Sequence, residues 1–368
     1  MILDVSDSVF HRIFQDESLY LPIRWDGVDF FVCLEELFHK YCRAIESESS
    51  NLCYSNKQFI FEDLPIKRVC SLIKRAVKHY LDGFPGKAYN SFARLMKLLQ
   101  KRPLKIYNKS CYEIFETYDD RLNLFRVVNV DNNIPYKRMR VFHTPYNLRS
   151  KVSTSRYSIA GYPSLYLGTS LELCCEELQY NPCRGYVIAS KFKIDRNVEN
   201  NDTAISVIEL SLKPQDFLNR INHTESNRRI FDEIKLRDTT IRTAYLLWYP
   251  LIAACSFIRT NKKHPFAAEY IVPQLLMQWV RNEMSKKIHN GYVQLIGIRY
   301  FSCASEKASD MGFNYIFPVS GKQLSHEKPY CPILAKAFLL TKPYYINEYV
   351  NIAECERALI DDNRLDYI

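Results

Sequence analysis

Residues 142–177, FHTPYNLRSKVSTSRYSIAGYPSLYLGTSLELCCEE, hold the densest gathering of side chains able to do chemistry. Arg149, Arg156, Tyr157, Ser158, Gly161, Tyr166, Glu176 and Glu177 all fall within one strand-and-helix stretch. An arginine beside a tyrosine can grip a phosphate bidentately while the ring stacks on a flat heterocycle. Gly161, with Pro163 after it, permits close backbone approach. Glu177 stands eleven residues after Tyr166, on the next helix, where it can face the same cleft. The same residue types also suit a surface network or a domain-packing device, so type and spacing leave both readings open.

Other chemistries find less support. Glycine is scarce, at ten residues, and neither a dinucleotide fingerprint nor a phosphate loop is present. The nearest match, Gly83-Phe84-Pro85-Gly86-Lys87, is too short and reads as a turn. Twelve cysteines are scattered over 368 residues with no CxxC pair, and no His, Cys and Asp set has metal spacing. Buried free thiols in a reducing cytoplasm are the expectation, since the N-terminus lacks an apolar targeting run. His143 beside Phe142 reads as a packed histidine before a general base, and His264 as a loop residue. No uncharged apolar stretch is long enough to span a membrane. The net charge of +9 is spread along the chain, so a nucleic acid is not an expected partner. A local arginine cluster can still serve an anionic small ligand.

The elements that must position these groups come from periodicity. Residues 31–46, 66–82 and 88–99 carry apolar positions at helical spacing, with a polar break after Glu46 and a turn at Gly83–Gly86. Asp63 is a candidate cap for the second helix, with Pro65 in its first turn. After Pro103 the pattern changes. Strands are expected near 124–128, 164–167, 186–192, 204–210, 295–301 and 314–317, with helices at 170–179, 241–258 and 270–285. The resulting expectation is an α+β fold with a helical module at residues 1–115 and a second domain at 116–368.

Ser155-Arg156-Tyr157-Ser158-Ile159-Ala160-Gly161-Tyr162-Pro163-Ser164-Leu165-Tyr166-Leu167-Gly168-Thr169-Ser170, with Glu177 after it, resembles the signature of the RES domain. Phe125-Arg126-Val127 resembles the family's first strand and its arginine. Phe142-His143-Thr144-Pro145, Glu269-Tyr270-Ile271-Val272-Pro273-Gln274 and Gly297-Ile298-Arg299-Tyr300 resemble a longer RES subgroup. The match spans about residues 120–320. The helices before it resemble the HEPN-like extension of some RES proteins. Arg75 and His79 stand closer together than that family's ribonuclease pair, so RNA cleavage is not expected.

The resemblance implies an ADP-ribosyltransferase-like fold and an enzyme that consumes NAD+ at the nicotinamide–ribose bond. Phosphate or water would be the acceptor, and NAD+ would be a substrate with no resident cofactor and no metal. It implies a cytoplasmic toxin paired with an antitoxin protein, which can also self-associate. Carried over, Arg126 and Arg156 grip the pyrophosphate. Tyr157 and Tyr166 wall the nicotinamide-ribose. Glu177 binds ribose hydroxyls and stabilises the oxocarbenium-like centre. Ser158 stands where the family more often has Asn, and belongs to the NAD+-binding set that the resemblance implies. Gln274 follows the Val-Pro pair where the family has Ser, and joins the NAD+-binding set. Catalysis is thus expected from Glu177, Arg156 and Tyr166. Glu177 is preferred to Glu176 by its spacing from Tyr166. The alternatives are an ADP-ribosyltransferase acting on a macromolecule, and a non-catalytic nucleotide- or RNA-binding module.

Overall fold

Apolar residues at helical spacing organise the first hundred positions, and strand patterns organise much of the remaining chain. The computed structural model describes residues 7–53, 64–102, 122–131, 135–181, 185–195, 203–218, 239–261, 263–286, 293–319, 329–346 and 351–368. In order, the chain forms α1 (Asp7–Ile13), α2 (Phe30–Cys53), α3 (Ile66–Leu81), α4 (Pro85–Leu99), β1 (Leu124–Val130), β2 (Ser164–Gly168), α5 (Leu171–Leu178), β3 (Tyr186–Ile194) and β4 (Thr203–Leu210). It continues through α6 (Pro214–Leu218), α7 (Thr239–Ala254), α8 (Ile271–Lys286), β5 (Val293–Phe301), β6 (Phe313–Pro318), α9 (Pro332–Ala337), β7 (Phe338–Leu340), β8 (Tyr344–Ile346) and α10 (Ile352–Asp361). Among the described residues no helix is long and apolar enough to cross a membrane.

The chain divides into two units, Met1–Asn108 with Ser211–Trp279, and Lys109–Leu210 with Val280–Ile368. The single boundary expected near residue 115 is therefore corrected: Ser211–Trp279 groups with the N-terminal helices. The reason lies in α7. From Tyr245 to Ala254 the helix is apolar all round, and Tyr245, Leu246, Tyr249, Leu251 and Ile252 are wholly buried. Such a helix must be covered on every side. Phe10, Phe14, Tyr41 and Phe217 supply an aromatic cover, with Tyr41 and Tyr249 centroids 4.4 Å apart. Each buried hydroxyl finds a carbonyl: Tyr41 donates to Leu246 at 2.7 Å, Tyr249 to Leu19 at 2.7 Å and Tyr245 to Leu212 at 3.0 Å.

The polar stretch after Glu46 does not break α2, which continues to Cys53. Two of its side chains are satisfied in place. Ser49 donates to the Ile45 carbonyl at 3.0 Å, and buried Glu48 pairs with Arg12 at 2.9 Å. Pro65 precedes α3 directly, as its cap residue. Asp63 lies outside the described residues.

The second unit is mixed α/β, built on an eight-stranded sheet of order β4-β5-β6-β2-β1-β3-β7, with β8 also on β3. β4 and β5 run parallel, and the other described pairs run antiparallel. β1 and β2 meet only at Phe125 opposite Gly168. By contrast, β1 pairs with β3 from Leu124 to Val130, and β2 with β6 from Ser164 to Gly168. The sheet therefore parts between β1 and β2. Arg126 ties the two strands across that parting, donating from Nη1 to the Tyr166 carbonyl at 2.9 Å. On one face, α5 and α10 bury Leu171, Cys175, Cys355 and Leu359 against Phe125, Val127, Val187 and Ala189.

Candidate active site

Ser155 and Ser158 exchange backbone hydrogen bonds at 3.2 Å in both directions, which closes a tight turn with Arg156 and Tyr157 at its tip. The Tyr166 hydroxyl clamps this turn from β2, meeting Ser155 Oγ at 2.5 Å and Ser158 Oγ at 2.6 Å. Three hydroxyls in so short a stretch fix the turn without any charge. Gly161 follows at φ 76°, a left-handed conformation that favours glycine. Its backbone is open, with nothing near a would-be Cβ.

Glu177 comes from α5. Ser170 caps that helix by accepting from Leu173 N at 3.1 Å, and Glu356 accepts from Leu171 N at 2.6 Å. The helix lies close on the sheet because Gly168 has no side chain: a Cβ there would meet Cys174 Sγ at 2.7 Å. The Cys174 thiol donates to the Phe125 carbonyl at 3.3 Å, and burial raises its pKa. Burial also pushes Cys175 up to about 12, so both thiols are structural.

The Glu177 carboxylate is held from two other elements. Its Oε1 accepts from Ser302 Oγ at 2.7 Å and from Asn314 Nδ2 at 2.6 Å. Ser302 is fully buried just past the end of β5, and Asn314 stands on β6. Neither residue is marked by a local motif, so the sequence does not point to them. Neighbouring Glu176 instead accepts from Ser305 at 3.2 Å, so the two adjacent carboxylates have different holders.

Tyr300 is the hub. Burial raises its hydroxyl pKa well above the ordinary value; Glu177 and Tyr166 push it the same way and Arg156 opposes them. Arg156, Tyr166 and Glu177 thus stand within electrostatic reach of one buried phenol. Arg156 itself is buried. Arg126, bonded to the Tyr166 carbonyl, is lowered to about 10 by burial, and its Nε has no hydrogen-bond partner among the described residues. A half-buried guanidinium with an unused donor is equipped to take an anion.

Over 333 residues the chain is 26% identical to a Bacillus subtilis protein named "Putative toxin YopC", covering 88% of this chain and 67% of that one. It is a distant relative of a protein that carries a toxin's name. No protein-family model and no solved structure matches the chain.

One expected site residue is placed differently. Tyr157 is 1% exposed, with its ring 4.6 Å from that of Tyr300. It packs beneath the site and does not wall it, because the turn directs the ring inward. Gln274 lies in the first part of α8, which groups with the helical unit up to Trp279, whereas Arg126, Arg156, Ser158, Tyr166 and Glu177 lie in the sheet unit. Among the described residues no group of three or more His, Cys, Asp or Glu is placed to hold a metal.

His143 is fully accounted for by structure. Its Nδ1 donates to the Thr144 carbonyl at 2.8 Å and its Nε2 accepts from Cys331 N at 2.9 Å, which fixes the neutral tautomer. Burial lowers its pKa to about 4. The unfolded state therefore binds more protons between about pH 6.5 and 4. The stabilisation is complete above that window and is lost as pH falls through it, amounting to about 3 kcal/mol. Urea unfolding at about pH 7 and about pH 4.5 should show this loss in the parent protein, and a smaller one in His143→Gln. An equal loss in both would remove His143 as the cause.

Proposed function

We propose that the protein degrades NAD+ by breaking the nicotinamide–ribose bond, and acts as a toxin or defence effector by depleting NAD+. The observation that carries this reading is that Tyr166 clamps the turn bearing Arg156, that Asn314, opposite Tyr300 in the β5–β6 pair, holds Glu177, and that Arg126 sits on the Tyr166 carbonyl. The relative's name supports the toxin part of it.

The chemistry suits these groups. Departure of nicotinamide leaves positive charge on the ribose anomeric carbon. A carboxylate fixed beside that carbon stabilises the charged transition state more than the substrate. Ser302 and Asn314 prevent Glu177 from swinging away, so orientation is set before the substrate arrives. Arg126 and Arg156 hold the anionic pyrophosphate. Water attack then gives ADP-ribose and a proton, whereas phosphate attack gives ADP-ribose-1-phosphate.

Incubation of the purified protein with NAD+, with and without inorganic phosphate, tests the reading. Nicotinamide release together with either ribosyl product is expected. Labelled macromolecule in place of both would turn the reading to ADP-ribosyl transfer, and no release with any acceptor would remove it. Asn314→Ala should lower kcat about tenfold with a smaller change in KM, because it loosens the carboxylate and leaves the arginines alone. A pure KM effect would show that Asn314 serves binding and not orientation.

A further inference from the structure

Between residues 132 and 171 the chain has six Lys and Arg residues and no Asp or Glu. Arg156 belongs to the site above. Arg149 is used elsewhere, in a cluster with Arg281 on two tyrosine rings. The Arg281 guanidinium carbon lies 3.2 Å from the Tyr162 centroid, and that of Arg149 lies 5.4 Å from the same centroid and 5.0 Å from that of Tyr146. Arg149, Tyr162 and Arg281 are each half-buried, so the cluster keeps a face toward solvent.

We propose that Arg149, Arg281 and Tyr162 form a second oxyanion subsite, which takes a phosphate group. The proposal goes beyond NAD+ cleavage and stands whether or not NAD+ is the substrate.

Three observations carry it. The first is geometric. A guanidinium lying on a ring directs its donors edgewise, in the fork that fits phosphate oxygens. The two guanidinium carbons share one ring centroid and so stand at most about 9 Å apart, near the span of a phosphate that each approaches at about 4 Å from phosphorus. The second is electrostatic. Burial lowers the Arg281 pKa and Arg149 lowers it further, while Tyr162 and Tyr146 raise it. Like charges held together out of bulk water repel, and a bound dianion offsets that repulsion. The third is position. Gly161, at φ 76°, and the Tyr162 N to Ile159 carbonyl bond of 2.9 Å turn the chain so that one short loop carries both Arg156 and Tyr162.

Titration calorimetry with inorganic phosphate, and separately with ADP-ribose, tests the subsite without requiring turnover. Saturable binding of at least one ligand is expected. Arg281→Gln and Arg149→Gln should each weaken it about tenfold or more. Lys151→Gln removes the same charge from an exposed position in the same segment, and should leave binding within about twofold. Equal weakening by Lys151→Gln would mean diffuse attraction and overturn the proposal, as would no saturable binding of either ligand. If Arg281→Gln fails to fold by circular dichroism, Arg149→Gln carries the test. Competition between the ligands would assign the subsite to a phosphate of the nucleotide. Simultaneous binding would assign it to free phosphate.

Discussion

Glu177→Gln should lower nicotinamide release from NAD+ by a factor of about 10²–10³ while NAD+ still binds. The substitution is informative because of how the carboxylate is held. Ser302 and Asn314 both donate to Oε1. A glutamine side-chain carbonyl can occupy that position and accept the same two bonds. Placement is then retained and only the negative charge is removed. Charge matters most when the anomeric carbon is cationic, so the loss should fall on kcat. Steady-state kinetics with calorimetric NAD+ binding would separate the two effects. An unchanged rate would show that Glu177 does not stabilise the transition state.

The largest effect on stability should come from Arg299. It stands opposite Glu209 in the parallel β4–β5 pair, and the two form an ion pair at 2% and 4% exposure. Burial alone would lower the Arg299 pKa, but Glu209 and Tyr315 more than offset it and hold the group above its ordinary value. Removing one partner leaves the other charge buried without compensation. Arg299→Met should therefore cost about 3–5 kcal/mol. Replacing both, as Glu209→Leu with Arg299→Met, should recover most of that loss, because the pair's Coulombic gain mainly balances its desolvation. Urea denaturation of the two variants checks this. A double variant as unstable as the single one would mean that packing, and not the stranded charge, sets the cost.

How much of the molecule was legible in the sequence depended on the range of the interaction. The αα-hairpin of α3 and α4 was legible, because amphipathic spacing and the Gly83–Gly86 turn are local signals. The strand bearing Arg126 and the helix bearing Glu177 were legible for the same reason. The partners of Glu177 were not. Ser302 and Asn314 lie 125 and 137 residues away, and nothing in their own neighbourhoods announces a carboxylate. Tyr157 shows a different limit. Its type suits ligand stacking and core packing equally, and only the turn between Ser155 and Ser158 decides for packing. An apolar helix such as α7 advertises burial without naming its cover, so its place among the N-terminal helices could not be read from periodicity.

The interleaving of the two units bears on synthesis. A ribosome delivers the N-terminal helices first, but the apolar helix they cover follows only after four strands of the other unit have been made. The helical unit is completed at Trp279, and the sheet unit only at Ile368. Domain-by-domain folding in order of emergence is thus closed to this chain. A product truncated anywhere before residue 279 contains neither unit whole, so an interrupted translation releases no finished site.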